Sequence, residues 1–324
     1  MGFYFPERDA LGNRAPSALD ADADWHLFTT GAYIWILQTY LRLEAAAASV
    51  RLLETMPRKG IVVVHADHLG RALAEAPTPS KIVVVGVRAD RRPQRRADVE
   101  IVQNLASAGR RQIMVPSWLQ PGLIPRDRRR GASVRVVAYL GDEAGLDPSL
   151  ADPAWSEALE REGLQWEPRT ARFTASDRSY GREVRWNDYA NVDVVVALRP
   201  RTAWGGHAKP AAKLQNAWAA GVPALLSPET PYRELRRSPL DYLEVRSSAE
   251  VLAALRRLRR EPGLYDAMVE NGLARARAFS TERLIARWLH VLERDVPECA
   301  NALVPRALRA ARPLRSRLGR PEPR

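Results

Sequence analysis

His207-Ala-Lys209-Pro-Ala-Ala-Lys213-Leu-Gln-Asn-Ala-Trp218-Ala-Ala-Gly221-Val-Pro223 reads as a loop, a helix, a glycine stop and the entry to a strand. Pro210 suits the first helical turn, where its missing N–H costs nothing. Gly221 stands where the helix must stop, and Val222-Pro-Ala-Leu-Leu226 is short and apolar enough for a buried strand. The run before it, Val192-Asp-Val-Val-Val-Ala-Leu198, has the continuous β-branched character of a strand covered on both faces. Strand, loop, helix, strand is the unit of a parallel sheet. Only four of the 50 basic residues are lysines, and two of those, Lys209 and Lys213, fall here. A lone lysine is ordinarily a solvated surface charge. A pair at a helix start, after Gly205-Gly206, points instead to a phosphate, because free N–H groups and the helix dipole already favour an anion there.

The same alternation extends in both directions. Toward the N-terminus the pattern predicts strands at 25–29, 49–55, 60–67, 81–87, 99–102 and 113–115, with helices at 32–43 and 69–75. The turn-rich Arg126-Asp-Arg-Arg-Arg-Gly131 reads as a boundary. Beyond it come strands at 133–140, 164–167, 192–198, 222–226 and 242–245, and helices at 155–162, after Ser247, at 264–278 and at 281–294. Ser247-Ser-Ala-Glu250 has the form of a capping box. The expectation is an α/β protein of two consecutive Rossmann-like domains facing across a cleft. Residues 1–131 and 132–280 form the domains, 281–303 a terminal helix, and 304–324 a basic tail.

Composition narrows the function. A length of 324 residues fits two domains, and 46% hydrophobic with 27% charged residues is ordinary for a globular chain. No apolar run approaches the ~20 residues of a membrane span, and the N-terminus lacks a signal-peptide pattern, so the cytoplasm is the expected location. The single Cys299 excludes an internal disulfide and a cysteine-built metal site. The net charge of +12 is concentrated at the end, where Val304–Arg324 holds seven arginines against Glu322. That tail fits peripheral contact with an anionic membrane surface, and its prolines equally fit a solvated end. No zinc-finger spacing, RNA-recognition signature or aromatic-basic stripe accompanies the charge, so nucleic acid is not an expected partner. Gly-x-Gly-x-x-Gly, the P-loop and the hydrolase elbow are all absent from the sequence.

Ligands of open parallel sheets bind beyond the carboxyl ends of the strands. In the first domain that rule selects Gly31, His65, Asp67, Arg88, Asp90, Gln103, Asn104 and Gln120; in the second, Gly141, Arg199, Lys209, Lys213 and Glu229. Each has an ordinary role open to it. His65 suits a hydrogen-bonded core position, Asp67 and Asp90 suit helix caps, Asn104 suits a turn, and Arg199 suits an ion pair. As a set they put acid and base candidates on one wall of a cleft and cations on the other. No metal is called for.

Asp193-Val-Val-Val-Ala-Leu-Arg199-Pro, the glycine-containing loop, and Lys213-Leu-Gln-Asn-Ala-Trp-Ala-Ala-Gly-Val-Pro-Ala-Leu225 together resemble the nucleotide-sugar glycosyltransferases of the GT-B fold. The likeness runs loosely from Ser133 to about Glu293. The first half, in Gly31-Ala-Tyr-Ile-Trp35 and Leu119-Gln-Pro-Gly-Leu-Ile-Pro-Arg-Asp127, is similar to uncharacterised members of that group. The resemblance implies a nucleoside diphosphate sugar as donor, with no further cofactor and without metal. Arg199, Lys209 and Lys213 would lie on the diphosphate, with Gly141, Asn216 and Glu229 completing the donor side. Asp90, His65 or Asp67 would act as base, and Gly31, Arg88 and Asn104 would line the acceptor side. The acceptor itself, a glycan or a lipid-linked sugar, is unidentified. It also implies that the helix at 281–294 packs back across the first domain. Many retaining members carry two glutamates around this helix; the matching positions here are Ala208 and Asn216. Neither a retaining nor an inverting course follows, and a catalytically inactive nucleotide- or glycan-binding protein stays open as the alternative. An epimerase on the same fold would need a denser set of acids and histidines.

Overall fold

The computed structural model describes residues 1–7, 11, 14–171, 180–200 and 209–302. Gly205-Gly206, His207 and the basic tail lie outside the described residues. Two all-parallel sheets organise the chain. The first comprises β1 (Gly2–Tyr4), β2 (Arg51–Leu53), β3 (Lys59–His65), β4 (Lys81–Val87), β5 (Val99–Val102) and β6 (Gln112–Met114), in the order β2-β1-β3-β4-β5-β6. The second comprises β7 (Val136–Asp142), β8 (Gln165–Ala171), β9 (Val194–Ala197), β10 (Ala224–Leu226) and β11 (Leu243–Glu244), in the order β11-β10-β9-β7-β8.

The valine runs explain the layering. Side chains alternate across a strand, so Val63 and Val85 enter one core while Val62, Val64 and Val84 enter the core on the other face. In the second sheet Val194 and Val196 pack to one side, Val195 and Ala197 to the other. A strand apolar at every position is stable only where both faces are covered. Full burial of each such side chain is worth about 1.5–3 kcal/mol.

The N-terminus differs from expectation. The segment Trp25–Leu27 is a 3-10 turn, not the first strand. Asp20 accepts from the backbone N–H of Asp22 and Ala23, and Asp24 accepts from that of Asp20, so local carboxylates bend this stretch and divert it from a sheet ladder. The strand is instead Gly2-Phe-Tyr4, inserted between β2 and β3, with Phe3 and Tyr4 buried on opposite faces.

The chain leaves the first core after Trp118, and Leu119 and Leu123 already pack on the second. Between them and β7, Arg126 and Arg130 anchor the connection on buried Asp193, at 2.8 and 2.7 Å. Asp193 also accepts from the backbone N–H of Arg135 and Val136. The return crossing falls between Phe279, in the second core, and Leu284, in the first. Ser280 caps the helix Thr281–His290 there. Trp288, Val291, Leu292 and Val296 then bury themselves in the first core, with the Trp288 and Phe3 ring centroids 6.4 Å apart. Among the described residues no helix is long and apolar enough to cross a membrane.

Candidate functional site

Strand order reverses at one point in each sheet, between β1 and β3 in the first and between β7 and β9 in the second. Chains diverging from such a point leave a crevice at the carboxyl ends of the strands.

In the second sheet the helix Ala212–Ala220 begins beside that crevice. It starts two residues later than Pro210 predicts, with Ala211 at the cap and Gly221 as its left-handed stop, φ 68°. Lys213, in its first turn, reaches across to the carbonyl of Leu140 at the end of β7, and its ammonium lies 4.4 Å from the centre of the Tyr139 ring. Gly141 makes room for it. A Cβ at Gly141, where φ is 154°, would fall 2.2 Å from Lys213 Nζ. Burial, and then the charge of Arg199, lower the Lys213 pKa to about 7; the residue keeps partial exposure, which moderates that displacement. Arg199 follows β9 and pairs with the buried Glu229, Nε to Oε1 3.1 Å. Burial raises the Glu229 pKa against the pull of Arg199.

In the first sheet His65 ends β3 and is fully buried. Its Nδ1 lies 3.3 Å from the backbone N of Asp67 and 3.4 Å from that residue's carboxylate. Burial depresses the ring pKa to about 4, so the imidazole is neutral, Nδ1 accepts from the Asp67 N–H, and the proton sits on Nε2. That Nε2 lies against Gly31, where a Cβ would stand 2.5 Å from it. Gly31 opens the helix that passes through a π turn at Tyr33–Leu37. His65 Nε2, Thr29 Oγ1 and Gln103 Oε1 are buried with no hydrogen-bond partner among the described residues. Each such group costs about 1–3 kcal/mol in desolvation, and buried polar atoms of this kind call for a partner.

The two walls touch. Lys209 Nζ lies 2.9 Å from Asp90 Oδ2, and Asn104 Nδ2 donates to the Lys209 carbonyl at 3.1 Å. The Glu234 carboxylate accepts from the backbone N–H of Leu105 and Ala106, at 2.6 and 2.7 Å. Arg91 bridges Asp67 and Asp90, each at 2.7 Å. For Asp90 burial opposes ionisation, but Lys209 and Arg91 outweigh it and lower the pKa; for Asp67 the Arg91 hydrogen bond does the same. Lys209 and Asp90 are both partly solvated, and such pairs are worth about 0–1 kcal/mol. A phosphate can take Lys209 from Asp90 at little cost.

Asp90, Asn104 and Lys209 are thus in direct contact, and Lys213, Gly141, Arg199 and Glu229 form one group. His65, Asp67 and Gly31 form another, joined to Asp90 through Arg91. Arg88 stays on the edge of its loop, its Nε donating to the Arg91 carbonyl at 3.1 Å. Asn216 is turned away toward the crossing between the sheets, where its side-chain oxygen accepts from Gln120 N at 2.9 Å. Arg91 and Glu234 escaped the sequence reading, since nothing in one sequence separates a bridging arginine from its four neighbours in the same loop. A shallow polar hollow along β8, lined by Glu167, Arg169, Glu183 and Arg185 among others, shares no residue with this site. Among the described residues no three His, Cys, Asp or Glu side chains gather as metal ligands.

No protein-family model matches the chain, and no curated protein does. Solved structures do. A sucrose-phosphate synthase from Thermosynechococcus elongatus superposes with a TM-score of 0.55 at 13% identity, over 83% of this chain and 94% of that one. AviGT4, a glycosyltransferase of avilamycin A biosynthesis, gives 0.53 at 14% identity, over 83% and 91%. Anabaena HepE, in complex with UDP and glucose, gives 0.53 at 12% identity, over 78% and 88%. The chain has the GT-B glycosyltransferase fold.

Proposed function

We propose that this GT-B chain transfers a sugar from a nucleoside diphosphate sugar to an acceptor hydroxyl without a metal. The observation that carries the reading is the cation group at the β7/β9 crevice. Lys213 and Arg199 are held at strand ends, with Lys209 opposite on an exchangeable carboxylate. HepE, of the same fold, holds UDP and glucose, which supports this donor class.

In this reading Lys213, Arg199 and Lys209 face the diphosphate and stabilise the charge that grows on it as the bond to the anomeric carbon breaks. The acceptor oxygen attacks that carbon, its proton passes to a base, and the nucleoside diphosphate leaves with the electron pair. Asp90 is the first candidate for the base. Paired with Lys209 its carboxylate is a weak base, and it gains basicity when Lys209 moves to the phosphate. His65 supplies an Nε2–H toward the donor, and Asp67 orients His65 and Arg91. The acceptor would be a glycan or a lipid-linked sugar, met in the cytoplasm or at a membrane face reached through Val304–Arg324.

A second reading keeps a nucleotide or glycan site without transfer, and the absence of glutamate at Ala208 and Asn216 favours it. A panel of nucleoside diphosphate sugars separates the two. Release of nucleoside diphosphate with labelled acceptor supports transfer. A ligand-dependent rise in melting temperature with no release supports the binder, and neither effect with any nucleotide rejects both.

A further inference from the structure

Between β4 and β5 the chain returns without a helix. Adjacent parallel strands ordinarily need a long crossover, commonly helical. Here Arg88-Ala-Asp-Arg-Arg-Pro-Gln-Arg-Arg-Ala-Asp98 crosses in irregular backbone. It starts at the cleft, where Asp90 meets Lys209 and Arg91 meets Asp67. It ends on the flank of β4, where Asp98 N donates to the Val84 carbonyl and the Asp98 carboxylate accepts from Val84 N, both at 2.9 Å. The connection therefore forms a strip leading from the mouth of the cleft down the side of the first sheet.

What sets the strip apart is the density of its charge. Some arginines elsewhere are matched to carboxylates, as in Arg233–Glu244, Arg256–Glu162 and Arg257–Glu261. Arg92, Arg95 and Arg96 are exposed and make no ion pair among the described residues. The turn bearing Arg110 and Arg111 lies alongside, since the Arg111 guanidinium donates to the carbonyls of Ala97 and Asp98. Three free guanidinium groups in five residues offer forked donors that match carboxylate or phosphate.

We propose that this strip seats an acceptor that is an anionic glycan, a sugar chain bearing carboxylate or phosphate groups, with its reacting end beside Asp90. The proposal rests on the glycosyltransferase reading above. Other polyanions fit the strip less well. It has no aromatic side chain on which bases could stack. Its one exposed apolar side chain is Pro93, with Ala89 and Ala97 buried, which is too little to enter a lipid surface. A small anion would need only one of these arginines.

The test compares the full chain with a combined Arg92→Ala, Arg95→Ala, Arg96→Ala variant and its Lys counterpart. Titrations at low salt use an oligogalacturonate, a poly(glycerol phosphate) oligomer, a neutral malto-oligosaccharide of the same length, and UDP. The wild type should hold at least one charged oligomer about tenfold or more above the neutral one, and the two charged oligomers tell carboxylate from phosphate. The Ala variant should lose about tenfold, the Lys variant much less, as expected for exposed charges acting together, and UDP binding should not change. Equal binding of charged and neutral oligomers, or no loss in the Ala variant, overturns the strip. So does tighter binding, through the same arginines, of an oligothymidylate or of phosphatidylglycerol vesicles. A wild type that binds no nucleoside diphosphate removes the transferase reading instead, while the charged-oligomer comparison still judges the strip.

Discussion

Replacing Lys213 with methionine should stabilise the unliganded protein while weakening its hold on a diphosphate. Methionine keeps most of the aliphatic stem over Tyr139 and deletes the ammonium. In the folded chain that ammonium has a pKa of about 7 against an ordinary 10.5. At pH 7 the unfolded state therefore binds more protons, and full linkage would penalise the wild type by ~4 kcal/mol. Partial exposure of the side chain screens the effect, and we expect about 2 kcal/mol to be recovered in Lys213→Met. The sign fixes the pH dependence. A depressed folded pKa means that wild-type stability rises with pH between about 7 and 10.5, so the advantage of the variant should shrink to under ~0.5 kcal/mol by pH 10. Urea denaturation at both pH values measures this. Calorimetric titration should show affinity for a nucleoside diphosphate falling by ~1–3 kcal/mol, the worth of a charged hydrogen bond, with little change for the nucleoside. A variant less stable than wild type at both pH values would show that Lys213 is a structural residue. Equal losses for nucleoside and diphosphate would show that it does not face phosphate.

Three further outcomes are expected. Gly31→Ala pushes a methyl against the buried His65 ring, 2.5 Å from Nε2, and should cost ~1–3 kcal/mol in denaturation midpoint as an overpacked site. Asp193→Asn leaves Arg126 and Arg130 with no carboxylate between them and should destabilise by ~3–5 kcal/mol, seen as a lowered urea midpoint. Trp288→Ala empties a fully buried site against Phe3. It should cost ~3–5 kcal/mol, and hydrogen exchange should show the first sheet loosened more than the second.

Strands with strong local signals were legible. The runs Lys81–Val87 and Val99–Val102 occupy the expected positions, because the valine and isoleucine of Ile82–Val85 suit a strand covered on both faces, and Val99, Ile101 and Val102 are β-branched around a single Glu100. The strand Gly2–Tyr4 was not legible. Three residues show no period, and its place depends on partners at Arg51–Leu53 and Val62–Val64, far along the chain. Among the candidate residues, strand-end logic selected His65, which ends β3, Asp90, three residues past β4, and Lys213, in the first helical turn, while Lys209 lies just before that helix. It could not foresee that Asn216 turns toward Gln120, or that Glu234 clamps the turn at Leu105. Those contacts depend on how the two sheets approach each other, which no local pattern encodes.

A crystal structure of the protein soaked with UDP is the direct test of the phosphate site. The diphosphate should lie at the β7/β9 crevice, within hydrogen-bond reach of Lys213 Nζ and the Arg199 guanidinium, with Lys209 turned from Asp90 onto a phosphate oxygen. A diphosphate bound elsewhere, with the Lys209–Asp90 pair still at its 2.9 Å contact and Lys213 still on the Leu140 carbonyl, would contradict that placement.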